Sequence, residues 1–132
     1  MTIEQQYNRA KDNLNGRLFA PYQREGVLWM LTMESQDSGP KGGFLCDEMG
    51  LGKTVQLVAT ILGNPKKSTL IVVPKSIITQ WVNEIGKFAP QLSVHIFDGP
   101  KRYLKEADVV IMPYSLLSTN EVTVIHMKSW DR

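Results

Sequence analysis

The sequence has few of the features that mark disulfide-rich, membrane-spanning or strongly charged proteins. Cys46 is the single cysteine among 132 residues, which excludes an internal disulfide and a cysteine-based zinc site and favours a reducing compartment. The 15 Lys and Arg residues against 13 Asp and Glu leave a formal net charge of +2, so any DNA contact has to come from local placement of charge. No apolar run approaches the roughly 18 residues of a membrane span, and residues 1–6 do not resemble a signal peptide. We therefore expect a soluble intracellular protein with no membrane partner.

The length and composition are those of one ordinary globular domain. Of the 132 residues, 42% are hydrophobic and 21% are charged, and no internal repeat or low-complexity tract is present. Asn13, Asn15 and Gly16 are expected to break any helix before Leu18, so residues 1–17 are predicted to form a flexible lead-in. The domain itself is expected to cover residues 18–132.

Helical and strand patterns alternate along the rest of the chain. Apolar residues at helical spacing predict helices over residues 21–34, 53–62 and 78–88, the last with Ser76 as its N-cap. Continuous apolar runs predict strands over residues 69–73, 93–97 and 108–112, and the first of these is expected to be buried on both faces. Residues 122–125 fit either type. This order predicts an α/β fold with a doubly wound, mostly parallel sheet flanked by helices.

A phosphate-binding loop is predicted between residues 47 and 54. Residues 43–46 are interpreted as the strand that enters the loop, and the helix beginning at Lys53 leaves it. In loops of the pattern Gly-x-x-x-x-Gly-Lys-Ser/Thr, backbone N–H groups wrap the phosphates, the lysine reaches the β- and γ-phosphates, and the hydroxyl ligates Mg²⁺. Asp47 occupies the position of the first glycine, so the prediction depends on the flanking elements. The predicted ATP-binding residues of the loop are Asp47, Glu48, Met49, Gly50, Leu51, Gly52, Lys53 and Thr54.

Five segments in a fixed order resemble the SWI/SNF-type branch of superfamily-two helicases. They are Pro21-Tyr22-Gln23 with Gly26 and Trp29, the loop 47–54, Val73-Pro74-Lys75-Ser76, Gln80-Trp81, and residues 108–115. The resemblance implies an ATP-driven translocase on double-stranded DNA, of the chromatin-remodelling or DNA-repair class, built from two RecA-like lobes with ATP between them. The chain resembles the N-terminal part of the first lobe, a P-loop NTPase lobe that is incomplete at its C-terminal side. Asp47 is typical of this branch.

The resemblance also assigns the nucleotide contacts. Gln23 would read the adenine edge, since an amide presents one donor and one acceptor; a solvent-facing helix residue is the alternative. Lys53 would neutralise phosphate charge, and Thr54 would hold the Mg²⁺ that accompanies ATP.

Two further segments are implied to touch the DNA backbone without reading its sequence. The first, Pro74, Lys75 and Ser76, follows a predicted strand at its carboxyl end, where open α/β sheets place ligand contacts. The alternative is a plain strand-to-helix turn with Ser76 as its cap. The second, Tyr114 and Ser115, follows residues 108–112, although Met112 and Pro113 stand where the family usually has two threonines.

Hydrolysis is not expected from these 132 residues. In the family, an apolar strand ending in Asp-Glu follows a Trp-Asp-Arg triplet, here residues 130–132, and an arginine comes from the second lobe. Asp98 is considered as a substitute metal ligand and is disfavoured, because the family places a non-catalytic strand before it. The alternative function is a non-catalytic nucleotide- or DNA-binding regulatory module derived from such a lobe. The family implies the nucleus in a eukaryote, and otherwise the cytoplasm or a virus-infected host cell.

Overall fold

A computed structural model describes residues 1–16, 21–46, 52–101, 103–118 and 123–132. The chain divides into two compact units, Met1–Pro65 with Lys87–Ala89, and Lys66–Gly86 with Pro90–Arg132. The helices are α1 (Ile3–Asn13), α2 (Pro21–Glu34), α3 (Lys53–Gly63), α4 (Ile78–Phe88) and α5 (Thr123–Met127), and the strands are β1 (Thr69–Val73), β2 (Val94–Ile96) and β3 (Val109–Pro113). No helix in the described part of the chain is long and apolar enough to cross a membrane.

Helix α1 occupies the segment that was predicted to be a flexible lead-in, and that prediction is wrong for residues 3–13. A capping box starts the helix: the Thr2 hydroxyl accepts from the Gln5 N–H, and the Gln5 side chain accepts from the Thr2 N–H. Tyr7 and Ala10, three residues apart, are buried, so one face of the helix is anchored. Local capping and two apolar contacts therefore order a sequence whose polar composition suggested a coil.

The first unit is a set of three helices with a common core. Four apolar residues of α2 and α3 are fully buried in it: Val27, Leu31, Val58 and Ala59. Gly63 allows α3 to approach α1 closely, because a Cβ there would lie 2.7 Å from the carbonyl oxygen of Gln6. The predicted helices at residues 21–34 and 53–62 are confirmed by α2 and α3.

The predicted strand over residues 43–46 is not present. These residues adopt no regular structure, and Phe44 is 90% exposed. A strand needs a neighbour for its backbone N–H and C=O groups, and no described segment pairs with residues 43–46. The apolar run alone was not sufficient to make a strand.

The second unit is built on a parallel sheet of strand order β1-β3-β2. The central strand β3 is buried at all five positions, whereas on β1 Val72 is 39% exposed. The expectation that β1 is buried on both faces is therefore wrong for that residue. The core beside β3 consists of Phe97, Val110, Met112, Leu116 and Ile125, with Leu70 and Trp130 packed against it.

Serine–aspartate pairs fix the amino ends of the strands. The Asp108 carboxylate accepts from the backbone N–H (2.8 Å) and the hydroxyl (3.0 Å) of Ser93, and the Ser93 hydroxyl accepts from the Asp108 N–H. Ser68 and Asp131 form a similar pair before β1. Because both pairs join residues distant in sequence, they set the register in which the strands start.

The last residue of the sequence lies alongside β1. The Leu70 N–H donates to the Arg132 carbonyl over 2.8 Å, and the Arg132 N–H donates to the Ser68 carbonyl over 3.2 Å, which is the pattern of a parallel pair. The Thr69 N–H donates to the backbone carbonyl of Asp108, on the β3 side. Since successive N–H groups of a strand point to opposite sides, Arg132 lies on the edge of β1 away from β3.

Two local expectations differ from the structure near α4 and α5. Ser76 is not the N-cap of α4, because it lies inside a short 3-10 helix (Lys75–Ile77) that leads directly into α4. The segment 122–125, which fitted either type, is helical from Thr123 onward as α5, and residue 122 lies outside the described residues.

Candidate functional site

The first group of candidate residues lies at the amino end of α3. Gly52 is the N-cap, with φ +82° and ψ +41° in the left-handed region, a conformation that glycine adopts without steric cost. Lys53 and Thr54 form the first turn and are half-buried. The first N–H groups of a helix have no partner within it and carry partial positive charge, so this end can bind an anion.

Gln23 lies against Gly52. A Cβ added to Gly52 would overlap Nε2 of Gln23, so the absence of a side chain at residue 52 makes room for the amide. Gln23 is only 6% exposed, which rules out the alternative of a solvent-facing helix residue. The structure thus brings together Gln23 and the amino end of α3, which are separated by 29 residues of sequence.

A second glutamine, on α3, faces α2 and was missed from the sequence. Gln56 is fully buried, and a Cβ on Gly26 of α2 would overlap its Oε1. Its N–H donates to the Gly52 carbonyl over 3.3 Å. A polar residue next to Val55 on the apolar stripe of α3 was the available signal, but periodicity alone does not show what faces it.

The remaining predicted loop residues, Asp47, Glu48, Met49, Gly50 and Leu51, lie outside the described residues. Their predicted role in ATP binding stays a prediction. The described residues of the candidate nucleotide site are therefore Gly52, Lys53, Thr54 and Gln23.

The second group lies at the carboxyl end of the sheet. Strands β1 and β3 are neighbours, with Val73 opposite Pro113, so the segments that follow them leave the sheet side by side. The residues of these segments that are predicted to contact the DNA backbone are all exposed: Pro74, Lys75, Ser76, Tyr114 and Ser115. The sheet thus brings together five residues from two separate motifs.

An acidic residue lies at the same carboxyl end of the sheet. Nζ of Lys75 lies 3.5 Å from Oδ2 of Asp98, and the side chains are 73% and 16% exposed respectively. Within the described ranges no group of three or more His, Cys, Asp or Glu side chains could hold a metal ion. The structure places Asp98 as an ion-pair partner of Lys75.

Comparison with known proteins identifies the family. The model of the SNF2-related domain matches residues 22–132, which is most of the chain. The chain belongs to the SNF2-related family. Its SWI/SNF-type resemblance and its α/β fold are thereby confirmed, since two solved structures of the SWI2/SNF2 ATPase core from Sulfolobus solfataricus share the fold. One of them, in complex with double-stranded DNA, has a TM-score of 0.79 and 30% identity and covers 90% of this chain; the other has a TM-score of 0.71 and 31% identity.

Sequence relatives of this SNF2-family chain are named as helicases and repair proteins. The ATP-dependent helicase rhp16 of Schizosaccharomyces pombe is 44% identical over 84 residues, and the mouse DNA excision repair protein ERCC-6-like is 35% identical over 112 residues. These alignments cover 62% and 75% of this chain. The chain spans only about a tenth of the length of these relatives, 10% and 9%, and 25% of the DNA-bound structure.

Proposed function

We propose that this SNF2-family chain is the part of an ATP-dependent double-stranded-DNA translocase that holds ATP and contacts the DNA backbone. The observation that carries the proposal is the position of Gln23 against Gly52 at the amino end of α3. It places an amide, which can read a base edge, beside a helix end that can bind phosphate.

The residues present fit a nucleotide with its metal ion. The N–H groups of the first turn of α3 and the Lys53 ammonium supply positive charge for the phosphates, and the Thr54 hydroxyl is an oxygen ligand of the kind that Mg²⁺ prefers. When bound, Mg²⁺ would neutralise phosphate charge. Gln23 would orient the base through its amide.

The second group of residues fits the backbone of duplex DNA. Lys75 provides a cation, Ser76, Tyr114 and Ser115 provide hydroxyl donors, and Pro74 orients the first segment. Hydroxyls and lysines are common partners of phosphate oxygens, and such contacts position a protein on DNA without reading the sequence. Since the net charge is only +2, these local contacts rather than bulk charge are proposed to carry the affinity.

Binding and not hydrolysis is assigned to these 132 residues. In the SNF2 family, cleavage of ATP uses an Asp-Glu pair that follows a Trp-Asp-Arg triplet, together with an arginine of the second lobe, and the triplet here is residues 130–132. The alternative, a non-catalytic regulatory module, would use the same residues to bind the nucleotide and the DNA. DNA-stimulated hydrolysis by the longer protein would favour the translocase, and its absence would favour the module.

The nucleotide proposal is tested by calorimetric titration of the chain with ATP and Mg²⁺. Lys53→Ala removes a charged partner of the phosphates and is expected to weaken ATP binding roughly 10- to 100-fold, because a hydrogen bond to a charged group contributes about 1.5–3 kcal/mol. Lys41→Ala makes the same charge change at an exposed loop position and is expected to leave the affinity unchanged. Equal heats of ATP binding for the unmodified chain and Lys53→Ala would contradict the proposed nucleotide site.

A further inference from the structure

The ion pair between Lys75 and Asp98 joins two loops that leave the sheet on opposite sides of β3. Lys75 lies two residues after the end of β1, and Asp98 lies two residues after the end of β2. The strand order β1-β3-β2 puts β3 between them. Because neighbouring strands lie about 5 Å apart, the pair bridges about 10 Å across the carboxyl end of β3.

The two members of the pair differ in exposure. The Asp98 side chain is 16% exposed and that of Lys75 is 73% exposed. The aspartate is therefore held by its surroundings, while the lysine is the member that can exchange between the carboxylate and a ligand from solvent. An extended lysine loses side-chain freedom when it is paired in one geometry.

We infer that Asp98 restrains Lys75 and lowers the affinity of the carboxyl end of the sheet for DNA. This inference rests on the proposed contact of Lys75 with the DNA backbone. A phosphate has to compete with the carboxylate for the same ammonium group. After the lysine has moved to the phosphate, the negative charge of Asp98 remains close to the negative charge of the DNA. Asp98 thus acts as a positioning residue, and a weakened contact suits a protein that has to release each phosphate as it moves.

A purely structural role for the pair gives the opposite expectation. If Asp98 only stabilised the loops, its removal would loosen them and would weaken DNA binding or leave it unchanged. Exposed ion pairs contribute little to stability. A gain of affinity on neutralising Asp98 therefore distinguishes restraint of Lys75 from loop stabilisation, since damage to the fold does not tighten binding.

The test is fluorescence anisotropy of a labelled 20-base-pair duplex of arbitrary sequence with the full 132-residue chain at two salt concentrations. Asp98→Asn is expected to tighten binding roughly two- to five-fold at low salt, the range that one exposed ion pair supports. The logarithmic dependence on salt should become steeper by up to about 0.9, the value for one additional phosphate contact. Melting of Asp98→Asn is measured in parallel and is expected to match that of the unmodified chain.

Two further variants separate the inference from its premise. Glu106→Gln makes the same charge change at an exposed residue that precedes β3, at the amino end of the sheet, and should change the affinity less than Asp98→Asn does. In a Lys75→Ala background, the gain from Asp98→Asn should be smaller than in the unmodified chain, because only the direct repulsion between Asp98 and the DNA is left to remove. If Lys75→Ala weakens binding but Asp98→Asn and Glu106→Gln have equal effects, the inference is wrong and the DNA contact stands. If Lys75→Ala leaves binding unchanged, the proposed DNA contact of Lys75 fails, and the inference fails with it.

Discussion

Gln23 and Gly52 interlock at the amino end of α3: the amide of the one occupies the space that a side chain of the other would need. The glycine is further constrained by its left-handed backbone, with φ +82°. The two residues lie on different helices. Any residue larger than glycine at residue 52 therefore has to change both the helix start and the position of Gln23.

Gly52→Ala is expected to destabilise the chain and to weaken ATP binding. A non-glycine residue in the left-handed region costs roughly 1–2 kcal/mol, and the added methyl group displaces the Gln23 amide from its present position. The free energy of unfolding in urea and the calorimetric affinity for ATP check the two effects separately. Gly39→Ala has the same φ of +82° with nothing within 4 Å of the added Cβ, so it should lose stability without losing ATP affinity. Similar ATP affinities for the two variants would contradict the role given to Gln23.

Gly26→Ala is expected to destabilise the first unit through Gln56. The new methyl group would overlap Oε1 of this fully buried side chain, and overpacking costs about 1–3 kcal/mol, more than the roughly 1 kcal/mol that alanine gains over glycine in a helix. Gly86→Ala is the matched control, because Gly86 lies inside α4 with no atom within 4 Å of the added Cβ. The control should be more stable than the unmodified chain by about 0.5–1 kcal/mol. Urea unfolding that shows a gain for both variants would mean that Gln56 does not limit the space at Gly26.

Thr2→Ala is expected to fray α1. The substitution removes the hydroxyl that accepts from the Gln5 N–H, and loss of such a cap costs about 0.5–2 kcal/mol. Thr2→Ser keeps the hydroxyl and should stay close to the unmodified chain. Amide hydrogen exchange in residues 3–13 gives the local readout, and equal protection in both variants would show that α1 does not depend on its capping box.

The elements with a strong local pattern could be predicted from the sequence. Helix α2 begins at Pro21 and ends at Glu34, as the apolar spacing and the proline indicated, and β1 spans Thr69–Val73, as its β-branched run indicated. These patterns act over a few neighbouring residues, so no distant contact is needed to read them. The exposed Phe44 shows the limit, because an apolar run forms a strand only when a neighbour pairs with it.

The sequence predicted candidate residues for the site but not their arrangement. The motif around Lys53 and Thr54 identified residue types that suit phosphate and Mg²⁺, and the order of the motifs identified the family. The contacts of Gln56 with Gly26 and of Lys75 with Asp98 join residues 30 and 23 positions apart in the sequence. Nothing in either local pattern specifies such a partner.

The sequence by itself determined the family, the order of helices and strands, and the chemistry available to each motif, because these depend on residue type and short spacing. The tertiary structure decided which of those groups meet. Close helix packing put Gln23 against Gly52, and the parallel pairing of β1 with β3 put Lys75 and Tyr114 at the same carboxyl end of the sheet. The physical reason is that packing and strand register are set by contacts between distant segments, and these contacts form only when the chain folds.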